Sequence, residues 1–277
     1  MDRVCNCFFV FLFTISLLAH PAQAGQFCNE ATPTAEAVTK GLQLALKTQQ
    51  VLAASGAQVA LLGRVGSDLS KYGLRYSHAG FAWRDHAEGR WLVEHELNQC
   101  ATASSDLFEE GLGNFFLDSP FVYEAVLLIP SHTMQENLAR ILSTDIPRRL
   151  HHPAYSMIAN PWATSYQNSN QWMLEVIAAA VASTGTVATR AQAQRWLREN
   201  DFAPSVVHLS PFTRLGARLF SANVQFDDHS LADRIAGQYQ VVTVEAVNTF
   251  VARFDPQSVQ RIVTLDESHE GGEQTQD

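Results

Sequence analysis

Three side chains in this sequence have types and settings suited to proton transfer and nucleophilic attack: His78, His95 and Ser169. Histidine is the side chain whose ordinary pKa lies near neutrality, so it serves as a base at physiological pH. A hydroxyl is a weak nucleophile until such a base takes its proton. His78 lies in Ser77-His78-Ala79-Gly80-Phe81, where small neighbours leave room for another group to approach the ring. Ser169 lies in Asn168-Ser169-Asn170-Gln171-Trp172, at the head of an apolar helical repeat. Helix N-terminal N–H groups and the positive end of the helix dipole favour an anion there. The same segment also reads as a plain helix start, because Asn168 and Ser169 are N-cap types and Gln171 can complete a capping box. A metal reading of His208, Asp227, Asp228 and His229 is weaker, since their spacing matches no ligand motif and the acids suit the first turn of a following helix. Trp162, Tyr166 and Trp172 are available to line a groove beside Ser169, although core packing is the commoner fate of such residues.

The elements that must position these residues follow from periodicity. Thr32-Pro33 reads as a cap with proline at the first helical position, and Val38 to Leu52 keeps a helical period that Ser55-Gly56 stops. Ala57 to Val65 is a short apolar strand. Tyr76 to Trp83 and Arg90 to Leu97 read as a hairpin through Glu88-Gly89. Alternation puts His78, Gly80 and Ala82 on one face of the first strand, and separates Leu92, Glu94 and Glu96 from Val93, His95 and Leu97 on the second. Whether Glu94 or His95 meets His78 depends on which face turns inward. Phe121 to Ile129 is a continuous apolar run, as expected of a buried central strand. Met134 to Leu142, Asn168 to Ala182, Ala191 to Glu199, Leu215 to Phe220 and Glu245 to Arg253 are helical. Short strands are expected at Tyr155 to Ala159, Val206 to Leu209 and Gln240 to Val244. The Gly63-Arg64-Val65-Gly66 stretch lacks the glycine spacing of a phosphate or dinucleotide loop.

The pieces Gln58 to Arg64, Tyr76 to Phe81, Trp91 to Leu97 and Asn168 to Val176 resemble the circularly permuted branch of the papain-like superfamily. That branch includes NlpC-type amidases and lecithin:retinol acyltransferase-like enzymes. The resemblance implies an α+β fold with an antiparallel sheet packed against helices, here with a C-terminal α/β elaboration. It implies His78 as the base, His95 as its orienting residue and the helix-start position as the nucleophile. In the superfamily that position is cysteine; here it is Ser169, which a histidine base can also activate. Asn168, Asn170 and Trp172 are the implied substrate-binding neighbours, and no metal or cofactor is called for. The stretch from about Gly56 to Arg253 is also similar to an exported bacterial family, domain of unknown function 2145, which brings no assigned activity.

Composition bounds the class. The chain has 277 residues and a formal net charge of −9, so nothing in it attracts nucleic acid. Arg3, the apolar run Phe8 to Ala19 and Ala22-Gln23-Ala24 form a secretory signal with its cleavage site, over residues 1–24. That run is too short to span a bilayer, so the processed protein is not transmembrane. Export to the bacterial periplasm follows. Cys5 and Cys7 leave with the signal; Cys28 and Cys100 are then expected to form a disulfide in that oxidising compartment, worth on the order of 4 kcal/mol in the chain-entropy model, the competing reading being Cys100 as a catalytic thiolate, around which no active-site cysteine signature lies. Residues 25–256 read as a single domain, and residues 257–277 as a disordered tail. That tail holds Asp266, Glu267, Glu270, Glu273 and Asp277. Two functions are expected to compete: an exported amide or ester hydrolase or acyltransferase acting on cell-envelope peptide or lipid, and a catalytically inactive binding module on the same scaffold.

Overall fold

The computed structural model describes residues 33–100, 102–117, 120–183 and 185–265. The signal segment, Cys28 and the acidic residues from Asp266 onward lie outside them. The chain forms a six-stranded antiparallel sheet with helices on both faces, so the mixed α+β class is as expected.

Helix α1 spans Ala35–Ser55. Its cap is Thr34, whose hydroxyl accepts from Ala37 N at 3.1 Å, rather than the expected Thr32. Gly56 ends it in the left-handed conformation at φ 70°, which glycine adopts without penalty. Strands β1 (Val59–Val65), β2 (His78–His86) and β3 (Gly89–Asn98) follow. Next comes β4 (Ser105–Gly111), which runs directly into α2 (Leu112–Leu117). Strand β5 is Val122–Ile129, and α3 and α4 are His132–Leu142 and Ile146–Leu150. Helix α5 is Ser169–Val181 and α6 is Arg190–Glu199. Beyond them come β6 (Ser205–His208), α7 (Pro211–Phe220), α8 (Leu231–Ala236), β7 (Gln238–Val241), α9 (Val244–Phe254) and β8 (Val259–Thr264). No described helix is long and apolar enough to cross a membrane.

The sheet order is β4-β3-β2-β1-β5-β8. One face carries Ala60, Leu62, Ala82, Val93 and Leu127 against Leu44 and Leu52 of α1 and Phe115 and Phe116 of α2. The other carries Leu61, Phe81, Val126 and Leu128 against α3, α5 and α9, with Leu138, Trp172, Ile177 and Phe250 packed there. Burial on both faces explains why β5 reads as an unbroken apolar run. Helix α5 carries no exposed polar face: every residue from Ser169 to Ala180 is buried. Its polar members are accommodated because Glu175 pairs with Arg190 at 2.9 Å and also accepts from Gln167 and Gln194.

Three expectations need correction. Residues 259–264 are not tail: they form edge strand β8, paired antiparallel with β5 from Glu124↔Thr264 to Ile129↔Val259. The segment Tyr155 to Ala159 is a loop, because its backbone bonds go to separate partners: Ser156 N to Gln167 O, Met157 N to Asn223 O and Ala159 N to Ser156 O. The single parallel bridge Tyr155↔Gln167 is all that resembles a ladder there. The helix after Asp227-Asp228-His229 starts later than expected, capped by Ser230.

Candidate active site

The site is built where the start of β2, the middle of β3 and the N-terminus of α5 converge. His78 is the first residue of β2 and pairs with Arg64 of β1. Farther along, Phe81 pairs with Glu94 of β3, which sets Gly80 beside His95. Gly80 is needed there: a Cβ would stand 2.7 Å from Glu94 O and 2.8 Å from His95 Cβ. The close approach brings the two imidazoles together, with His78 Nε2 2.8 Å from His95 Nδ1. On its other side, His78 Nδ1 lies 3.2 Å from Ser169 Oγ. His95 Nε2 in turn faces Glu110 Oε2 of β4 at 3.5 Å.

One assignment of protons satisfies the whole line. Ser169 O–H donates to His78 Nδ1, His78 Nε2–H donates to His95 Nδ1, and His95 Nε2–H points to the Glu110 carboxylate. Each neutral ring then carries its proton on Nε2 and accepts on Nδ1. Glu94, the alternative orienting residue, turns to the other side of β3, as successive strand residues must.

Burial sets the electrostatics. His78, His95 and Ser169 are 9%, 1% and 5% exposed. Removal from water, followed by the Arg64 cation and His95, holds the His78 pKa well below 6.5. His78 is therefore neutral at pH 7, the form that can accept a proton. Glu110 is held below the usual carboxylate range by its hydrogen bond to His95. Phe115 of α2 forms the floor, with ring centroids 5.9 Å from His78 and 5.4 Å from His95. Tyr155 is buried beside Ser169, and burial followed by the neighbouring Glu96 raises its pKa, so it stays protonated.

The three neighbours of Ser169 divide. Asn168 is the helix cap: its Oδ1 accepts from Gln171 N at 2.8 Å, and its Nδ2 donates to Met157 O at 3.3 Å and Val242 O at 3.5 Å. Asn168 therefore has a structural role as the cap of this helix. Trp172 is fully buried, donates its indole N–H to Pro147 O at 3.0 Å and packs edge-on against Phe81. Among the described residues, Asn170 Oδ1 is buried and has no hydrogen-bond partner. The helix-start and nucleophile readings of this segment are therefore compatible: Asn168 caps, and Ser169 turns its hydroxyl to His78.

Trp162 and Tyr166 are held elsewhere, by Gln240 and Asp227 respectively. Asp228 accepts from Asn160 N at 2.7 Å, and His229 Nε2 meets Ile158 O at 2.7 Å. These residues secure the loop before α5. Sequence reasoning missed Glu110, Tyr155 and Phe115. Glu110 belongs to an acidic edge strand with no apolar alternation to reveal it.

A family model described as "Uncharacterized protein conserved in bacteria (DUF2145)" matches residues 51–251. No curated protein and no solved structure matches the chain.

Proposed function

The chain belongs to that bacterial family, and we propose that it is an exported serine-dependent amide or ester hydrolase or acyltransferase. The observation that carries this reading is the continuous hydrogen-bonded line Ser169–His78–His95 that ends on Glu110. In the proposed reaction Ser169 Oγ attacks a carbonyl carbon and His78 Nδ1 takes the hydroxyl proton. The resulting imidazolium is stabilised by His95 and, through it, by Glu110. The first-turn amides of α5 face the oxyanion. His78 then returns its proton to the departing amine or alcohol as the carbonyl–leaving-group bond breaks. Water, or a second alcohol or amine, releases the acyl group from Ser169.

The order of parts supports a papain-like, circularly permuted fold: a strand, the histidine strand, the strand of the orienting residue, then the nucleophile helix. The sequence features of residues 1–24 support export to the periplasm, where peptides and acylated lipids of the envelope are the accessible substrates. They also support pairing of Cys28 with Cys100 there. The inactive binding module has its own support in the closure of the site, since Ser169 is 5% exposed.

A fluorophosphonate separates the two readings. Attack by Ser169 Oγ forms an O–P bond and expels fluoride, leaving a stable adduct. Wild type is expected to gain one adduct mapped to Ser169, and Ser169→Ala and His78→Ala to gain none. A folded wild-type protein left unmodified favours the binding module.

A further inference from the structure

Beside the relay lies a concavity that shares His95 with it but is lined by neither Ser169 nor His78. It is a cavity of about 290 Å³ bounded by β2, β3, β4, the end of α3 and the start of α4. Trp83, Phe108 and Trp172 contribute aromatic walls, and Glu94, Glu109 and His86 line it. The Glu94 side chain is 10% exposed, and among the described residues it makes no hydrogen bond. Its nearest polar neighbour is His86 Nε2 at 3.8 Å, which also approaches Glu109 at 3.4 Å. A carboxyl group buried to this depth with no hydrogen-bond partner, facing a cavity, is costly unless something fills it.

We propose that this cavity is a binding site for a primary alkylammonium group. An ammonium offers three N–H donors and a compact positive charge to Glu94 and Glu109, and its alkyl stem fits against the aromatic walls, whose ring faces attract cations. An anion meets the Glu109 carboxylate, whose charge Arg148 offsets from the exposed side, and a neutral alcohol lacks the Coulombic attraction. Arg148 pairs with Glu109 from the exposed side at 3.4 Å, leaving the buried Glu94 for the ligand. The proton inventory agrees. Burial and the neighbouring Glu109 push Glu94 up to about 8, so it is protonated at pH 7. An incoming cation favours the carboxylate, and Glu94 then releases its proton to the buffer.

The test is calorimetric titration of the full protein with n-butylammonium chloride at pH 7, in buffers of different ionisation enthalpy. Expected are saturable one-to-one binding with proton release approaching one per site, and no binding of n-butanol or butyrate. Glu94→Gln mimics the protonated side chain and keeps its shape; it is expected to weaken binding at least tenfold and to abolish the proton release. Ser169→Ala is expected to bind as wild type does, which separates this site from the proposed reaction. Absence of saturable butylammonium binding in the wild type, or undiminished binding in Glu94→Gln, would overturn the assignment.

Discussion

A histidine packed against a second histidine and a phenylalanine holds an added proton poorly, and this is the condition of His78. Its depressed pKa keeps it neutral, but a weak base needs help at the moment it becomes charged. That help comes from behind, through His95 Nδ1 at 2.8 Å and Glu110 beyond it. Glu110 touches neither substrate nor Ser169, so it is a positioning residue. Glu110→Gln is expected to lower kcat by about 10- to 100-fold, as loss of an outer hydrogen-bonding partner typically does, with KM nearly unchanged in ester hydrolysis. A kcat equal to wild type would show that the line stops at His95. The histidines and serine were legible in the sequence because their types carry the chemistry. Glu110 and Tyr155 were not, since a glutamate or tyrosine acquires a role only from what it faces.

The strands and helices position this line through a few close approaches. The imidazoles meet because β2 and β3 come together at Gly80, where any side chain would collide with Glu94 O and His95 Cβ. Gly80→Val is expected to cost about 1–3 kcal/mol, the usual penalty of overpacking, and to reduce activity by more than its folded fraction explains. Thermal unfolding together with activity per folded molecule checks this, and a variant as active as wild type would contradict it. The hairpin, β1, β5 and the helix at Ser169 were readable because each keeps one period over its length. Strand β4 was not, because Ser-Asp-Leu-Phe-Glu-Glu-Gly has adjacent apolar and adjacent acidic residues. Strand β8 was hidden by its exposure: four of its six residues face solvent at the sheet edge, so little apolar patterning was required of it.

At the scale of the whole molecule, the site is closed and its helix is anchored from both sides. Arg190 holds Glu175 of α5 and also donates to Thr164 O and Tyr166 O of the loop before it. The mixed α+β class was legible from the alternation of strand and helix periods. The enclosure of α5 was not, because it depends on partners at long sequence separation. The proposed export adds a constraint outside the described residues. Protein recovered from the periplasm is expected to begin at Gly25 and to gain two hydrogens in mass on reduction, as Cys28 and Cys100 part; an intact Met1 or an unchanged mass would contradict this. The central claim, that neutral His78 takes the Ser169 proton, is tested most directly by the rate of fluorophosphonate modification of Ser169 as a function of pH. With the His78 pKa held well below 6.5, the rate is expected to stay level from pH 8 down past 6.5 and to fall only at more acid pH. An inflection at or above 6.5, or a rate unaffected by His78→Ala, would contradict it.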